Sequence, residues 1–464
     1  MSRLLAFAAF ELRHHLRRPS TWLFAAVMFA LGFLFTATSV GGILQINDAV
    51  HVNAPYRIDR ALGMLTLVGT AITSAIAGAA LLRDFELRAH ELLFTTRLRK
   101  HELVLGRFLG AWLITATVLA AAAPGLWLGA HAPWIDPDRL GPEPLGTFLT
   151  PVLSYVLPTT WFVCAAFLCV GVLTRSFLAV HIQGVVLLVT WLLTSDQYAR
   201  IGRELYAALL DPFGLNAARL VCRYWTVDEQ NSQLVGLVGP LLWNRLLWLA
   251  AGAGVLLLAH RRFRMEASPA LRRRDPRAEP PAAHLHAPRA PLPPAARQVG
   301  PAVSLARFAS LTRLYVRDIV RARAFRAITV TGLLFVGAMA GSFERMWDTP
   351  IYPVTYAVIQ VLDQFAIFYF VILVMYAGEL MWRERSLRCD PLVVAAPVSS
   401  ALILASKITA LILVTALLLV LLIGFGVAFQ AAHGYFEFEL GVYVGVLFVL
   451  TLPLFAVYID LAFF

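Results

Sequence analysis

Few residues of this chain have types and spacings that could do chemistry. Three ionisable side chains fall inside long apolar runs: His181, Arg245, and Asp363 with Gln360 and Gln364 beside it. An ionisable group at bilayer depth is a functional candidate by default, because it is costly to keep there. Asp363 lies about 12 Å into its run at helical rise, where it could line an aqueous cavity or bond a neighbouring helix. Arg107, Glu379, Lys407 and Asp460 stand near run ends, within reach of the interface by snorkelling. Zinc-peptidase spacing is approached twice and missed twice: His90-Glu91 leads to Phe94, and His101-Glu102 to Leu105, where a second imidazole should stand. A phosphate loop needs Gly-Lys-Ser or Gly-Lys-Thr, but Lys100 follows Arg99 and Lys407 follows Ser406. Cys164, Cys169, Cys222 and Cys389 have no metal-ligand or disulfide spacing, and the first two read as small apolar side chains. Neither a metal site nor a catalytic constellation is expected, and the chain reads as a non-enzyme.

The elements that hold these residues explain the scarcity. Of 464 residues, 59% are apolar and 14% charged, and mean hydropathy is +0.72. Soluble domains carry roughly 25% charged residues. A soluble enzyme, a disordered tail and a coiled coil are excluded, and an all-α polytopic membrane protein is expected. Ten runs are long enough to span: 20–42, 61–82, 104–130, 149–174, 177–195, 240–260, 326–343, 355–381, 401–430 and 438–460. The first has no convincing cleavage site and reads as a retained anchor. With the N-terminus in the cytoplasm, 30 of the 39 Lys and Arg fall in inside segments and eight outside. Much of the inside excess sits in one linker, yet the order survives its removal. The net charge of +11 is therefore a topology signature with attraction to membrane lipids, and no nucleic-acid partner is expected.

Residues 265–303 carry Arg272, Arg273 and Arg274 and then seven prolines between 276 and 294, a composition that builds neither helix nor core. This cytoplasmic linker separates a first bundle of six spans (1–264) from a second of four visible spans (304–464). A constant shift of 300 residues pairs Arg83, Leu87, Arg88 and Leu92 with Arg383, Leu387, Arg388 and Leu392, Asp84 with Glu384, and Arg107 with Lys407. A shift of 304 pairs Arg13 with Arg317 and Arg17 with Arg321. An even number of spans in the first half makes the repeat parallel. The second bundle looks interrupted, with two further spans expected beyond Phe464. Residues 83–100 read as a cytoplasmic helix with Phe85, Ala89, Leu92 and Leu93 on one face. Lead-in helices 3–18 and 305–324 are basic and amphipathic, suited to lying on the inner leaflet. The outer segment 196–239 suits a short re-entrant or surface helix pair, with a turn at Asp211-Pro212-Phe213-Gly214.

Several segments resemble one group of ABC type-2 exporter permeases. They include Val52-Asn53-Ala54-Pro55-Tyr56, Leu82-Arg83-Asp84-Phe85-Glu86 with Phe94-Thr95-Thr96, and Leu105-Gly106-Arg107-Phe108-Leu109-Gly110-Ala111. Pro133-Trp134-Ile135-Asp136-Pro137, Leu210-Asp211-Pro212-Phe213-Gly214, Arg223-Tyr224-Trp225-Thr226-Val227, Tyr376-Ala377-Gly378-Glu379-Leu380 and Trp382-Arg383-Glu384-Arg385 belong with them. In that group two six-helix halves are often followed by a zinc aminopeptidase-like domain, absent from this sequence. The resemblance implies a permease in the cell (inner) membrane, moving substrate with ATP hydrolysed by separate ABC ATPase subunits, two in number. ATP and Mg would sit on those partners, with no cofactor in this chain. It also implies coupling through the loops after the second span of each half, carried by Arg83, Asp84, Glu86, Arg88, Glu91, Arg383, Glu384, Arg388 and Asp390. Asp363, Gln360 and Gln364 would then mark a translocation pathway. An ion-gradient-driven carrier or lipid scramblase, resting on Asp363, and a membrane anchor for a peptidase-like domain are the alternatives.

Overall fold

The computed structural model describes residues 3–38, 46–86, 89–96, 98–198, 202–263, 300–340, 345–346, 349–350, 352–386, 389, 393, 395 and 398–463. The chain forms two compact units, Met1–Asp275 and Pro276–Phe464. The division falls within segment 265–303, of which only 300–303 is among the described residues. Nine helices among the described residues are long and apolar enough to cross a bilayer, and a tenth span follows if one pair bent by 44° is counted as one. The architecture is that of an all-α multi-pass membrane protein. Its extended structure among the described residues is a two-residue antiparallel pair, Arg345–Met346 with Thr349–Pro350.

The first unit opens with α1 (Arg3–Leu16), and Pro19 then starts α2 (Pro19–Ala37) from an extended Arg18. Proline at the first helical turn forfeits only an N–H that would be unpaired anyway. The same device opens α3 (Pro55–Val68), which meets α4 (Thr70–Glu86) across the 44° bend. A short α5 (Ala89–Phe94) follows. Next, α6 (Lys100–Ala120) and α7 (Ala122–Ala130) make one span of 31 residues. The following span joins α8 (Gly146–Pro151), a π turn at Val152–Val156, and α9 (Leu157–Thr174). After α10 (Phe177–Tyr198), three short helices precede the last span of the unit: α11 (Glu204–Leu210), α12 (Leu215–Val221) and α13 (Val227–Ser232). That span is α14 (Gly239–Arg262). Segment 196–239 thus holds three short helices among its described residues rather than a pair.

Glycines set the contact between α2 and α7. A Cβ on Gly125 would lie 2.1 Å from the Phe29 carbonyl oxygen, and one on Gly32 2.3 Å from that of Ala122. Small residues let α2 and α7 touch backbone to backbone, the usual means of helix association where lipid removes the hydrophobic incentive. The Thr36 hydroxyl crosses the same seam to donate to the Leu126 carbonyl at 2.9 Å.

The second unit begins with α15 (Pro301–Arg321) and α16 (Arg323–Ala340). It continues through α17 (Thr355–Asp363), α18 (Ala366–Ser386) and the 33-residue α19 (Ser400–Ala432), capped by the Ser399 hydroxyl. It ends with α20 (Leu440–Val444), a π turn at Gly445–Thr451 and α21 (Leu452–Phe463). The apolar run 355–381 is therefore two helices, and the span begins at Ala366. Phe365 is fully buried at the break and packs against Phe368 and Tyr369 at 5.3 and 5.0 Å between centroids, which anchors the start of α18 in the core. Residues 83–100 are likewise not one helix, because α4 ends at Glu86 and α5 is separate.

Candidate functional site

Five polar side chains of the first unit meet where α1, α4 and α6 converge. Glu11 of α1 accepts from Arg83 of α4 at 3.0 Å and also from Arg107 of α6. Arg107 turns its other nitrogen to both oxygens of Asp84, at 2.8 and 2.9 Å, and His15 stands 3.3 Å from Glu11. Glu11 is fully buried, and Arg107 is 3% exposed. Two carboxylates face two guanidiniums, so the hub is neutral without His15. That balance is what makes it tolerable: a buried charge stripped of its partner costs far more than the pair contributes. Burial pushes the Glu11 carboxyl up, but the His15 hydrogen bond and the charges of Arg107 and Arg83 outweigh it and hold it at about 2.

Local sequence brings α1 to this position. Gly106 and Gly110 flank Arg107 on α6; a Cβ on the first would meet Phe7 Cβ at 2.6 Å, and on the second Glu11 Cβ at 2.5 Å. The missing side chains let α1 lie directly on α6. Phe10 and Phe7 then cover the Arg107 guanidinium at 5.2 and 5.8 Å from their ring centres.

A similar hub ties α15 to α18 and α19 in the second unit. Arg383 of α18 pairs with Asp318 of α15, and Lys407 of α19 donates to Glu384 at 2.8 Å. The Tyr315 hydroxyl donates to the other Glu384 oxygen at 3.3 Å. Burial and the neighbouring Glu384 push the Tyr315 phenol up to about 12, so it remains a donor. The wiring matches the first hub: the arginine at the end of one span holds an acid of the lead-in helix, and the next residue, an acid, holds a base of the following span.

The structure thus brings Arg83 and Asp84 together in one hub, and Arg383 and Glu384 in the other. They face helices of their own unit, so the most they could do for coupling is position the loop that follows. Arg107 and Lys407 are corrected: instead of snorkelling to an interface they are buried in ion pairs, because acids stand within reach on adjacent helices. Arg88, Arg388 and Asp390 lie outside the described residues, as do the side chains of Glu86 and Glu91. Between the hub and α6 the loop exposes Leu92 (76%), while Phe94 packs edge-on against Phe263. Asp363, Gln360 and Gln364 are all exposed on their unit and make no side-chain hydrogen bond among the described residues; Asp363 ends α17, ahead of the span. His181 is exposed, with Nδ1 2.8 Å from the Phe177 carbonyl oxygen. Glu11, His15, Tyr315 and Asp318 escape sequence reasoning. Their one signal is an acid within a basic, amphipathic helix.

A second polar cluster closes the other end of the first unit. Asp211 accepts from the backbone of Phe213 and Asn216 at 2.8 and 2.7 Å, forming the expected turn. Asn244 of α14 donates to the carbonyls of Ala208 and Asp211, and Arg245 donates to Thr159 at 3.1 Å. Gly214, at φ +75°, has no room for a Cβ, which would sit 2.2 Å from the Arg245 guanidinium. Arg245 is therefore a structural clasp. Asn53 does the same for the loops, exchanging hydrogen bonds with the Gly141 backbone at 2.7 and 2.8 Å. No group of three metal-ligating side chains occurs among the described residues. No protein-family model matches the chain, and no curated protein sequence matches it.

Proposed function

We propose that the chain is the transmembrane permease subunit of an ABC-type exporter, moving its substrate with free energy from ATP hydrolysed by two separate ATPase subunits. Its N-terminus would be cytoplasmic, and its two units would be parallel repeats. One observation carries this reading: each unit fixes the loop after its second span to an ionic hub shared by a lead-in helix and the next span. A subunit that pulls on a loop can move helices only if the joint between them is stiff. A neutral, multiply bonded hub, buried in the first unit and half-buried in the second, supplies that stiffness, and a flexible loop would dissipate the stroke. Leu92 beyond the first hub offers an apolar knob to a partner. Alternation would come from one unit rocking against the other around these joints.

The test is to purify the tagged full chain from its native membrane and ask whether an ATP-binding subunit accompanies it. Copurification with that subunit is expected. A chain that purifies alone and moves its substrate down an ion gradient without ATP overturns the reading. The carrier alternative rests on Asp363, an acid without a hydrogen-bond partner among the described residues. It requires that Asp363→Asn abolish transport, whereas the permease reading tolerates that change.

A further inference from the structure

The lead-in helix of the second unit carries more positive charge than its hub uses. Arg313, Arg317 and Arg321 recur every four residues and share one face of α15. All three are exposed, and none has a side-chain partner among the described residues. Beside them a groove of about 650 Å³ runs between α15 and α19. Thr409, Leu413 and Leu417, again at four-residue spacing, form its opposite wall. Leu413 and Leu417 are 48% and 40% exposed. Thr312, which also lines the groove, is buried, and its hydroxyl has no hydrogen-bond partner.

We infer that this groove binds one anionic phospholipid, its phosphate on the arginine row and an acyl chain along Leu413 and Leu417. A cationic stripe facing an apolar stripe calls for an amphiphile. A free anion would leave the leucines bare, and a neutral lipid would leave three guanidiniums uncompensated. Leu413 and Leu417 belong to a membrane span, so lipid is the neighbour present at highest concentration. The Thr312 hydroxyl would find its missing partner in an ester or phosphate oxygen. The first unit is built differently at the matching place. There Gly106 and Gly110 seat α1 directly on α6, whereas a shift of 300 puts Ser406 and Ala410 at those places. Position 313 shifts back by 304 to Ala9, which breaks the arginine row. The inference goes beyond the proposed transport role and holds whether or not ATP drives the protein.

The experiment is native mass spectrometry of the full chain from phosphatidylcholine vesicles with and without phosphatidylglycerol. One retained phosphatidylglycerol per chain is expected. In the triple variant R313Q/R317Q/R321Q, the preference for phosphatidylglycerol should fall on the order of 100-fold, about five-fold for each arginine. The three side chains are exposed, so an unchanged thermal transition will show that the fold persists. Leu413→Trp fills the groove, leaves the charge, and should also lower retention. Undiminished retention in the triple variant overturns the inference, as does displacement of the lipid by inorganic phosphate, which would make the row a free-anion site. A second copy of the chain found covering the groove with lipid excluded would overturn it as well.

Discussion

Arg107 is the side chain on which the first hub depends most, since it bonds both acids. Replacing it with Met leaves Glu11 to Arg83 and His15 and takes from Asp84 the guanidinium it holds at 2.8 and 2.9 Å. A buried pair broken from one side typically costs about 3–5 kcal/mol, so R107M should lose about that much stability in detergent unfolding. Changing the whole hub to apolar residues of similar volume should cost far less. Glu11 also sets an acid limit. Its carboxyl ordinarily titrates at 4.5 and is held at about 2 here, so its contribution is complete above pH 4.5 and is lost as pH falls through about 2. That depression corresponds to about 3 kcal/mol. His14 acts over a different window. Burial, then Arg83 and Arg18, hold its imidazole at about 4 instead of 6.5, so the unfolded chain takes up the proton first. Stability should therefore decline as pH drops from about 6.5 towards 4, and His14→Gln should flatten that part of the profile. Thermal unfolding across pH 2–7 checks both statements.

At the scale of elements, the seam between α1 and α6 is the feature most open to direct attack. Gly110→Leu would drive a side chain into Glu11 Cβ and the Ala8 carbonyl, now 2.5 and 2.9 Å from an added Cβ. Overpacking of this kind costs about 1–3 kcal/mol, and here the cheapest relief is for α1 to leave. Hydrogen exchange over α1 should accelerate at least ten-fold in G110L while α9 stays protected. Apolar length made the spans legible in sequence, and turn chemistry located the Asp211 turn, but the start of α3 at Pro55 lies six residues before the apolar run that begins at 61. The break at Phe365 was invisible, because an apolar run does not say which of its residues will be core. The clasp of Asn244 and Arg245 on the Asp211 turn was equally hidden, since its parts lie more than thirty residues apart and neither forms a motif alone. Gly106 and Gly110 were visible as a motif, yet only the folded chain shows that α1 is what they receive. Arg83 and Asp84 read as exposed loop charges because the Arg83 partner, Glu11, sits 72 residues upstream and the Asp84 partner, Arg107, 23 residues downstream.

For the whole molecule, the central claim is that two like-wired hubs let an external engine pull on two loops. The shift of 300 residues that aligns Arg83, Asp84 and Arg107 with Arg383, Glu384 and Lys407 also aligns their bonding: Arg83 and Arg383 each hold an acid of the lead-in helix, and Asp84 and Glu384 each hold the base that follows. Such agreement is a constraint that chance identities would not satisfy. Weakening a hub should therefore uncouple without abolishing assembly. In Lys407→Met the ATPase subunits should still bind, while substrate movement per ATP falls by roughly ten-fold, as expected for an interaction of about 1.4 kcal/mol in the driven step. The most direct measurement places a photo-crosslinking residue at Leu92 and, separately, at Ala395, both exposed, in the full chain in its native membrane. The account predicts that both positions capture an ATP-hydrolysing subunit, on the same side of the bilayer. Capture of no such subunit from either position, or accessibility of the two positions from opposite sides, would contradict it.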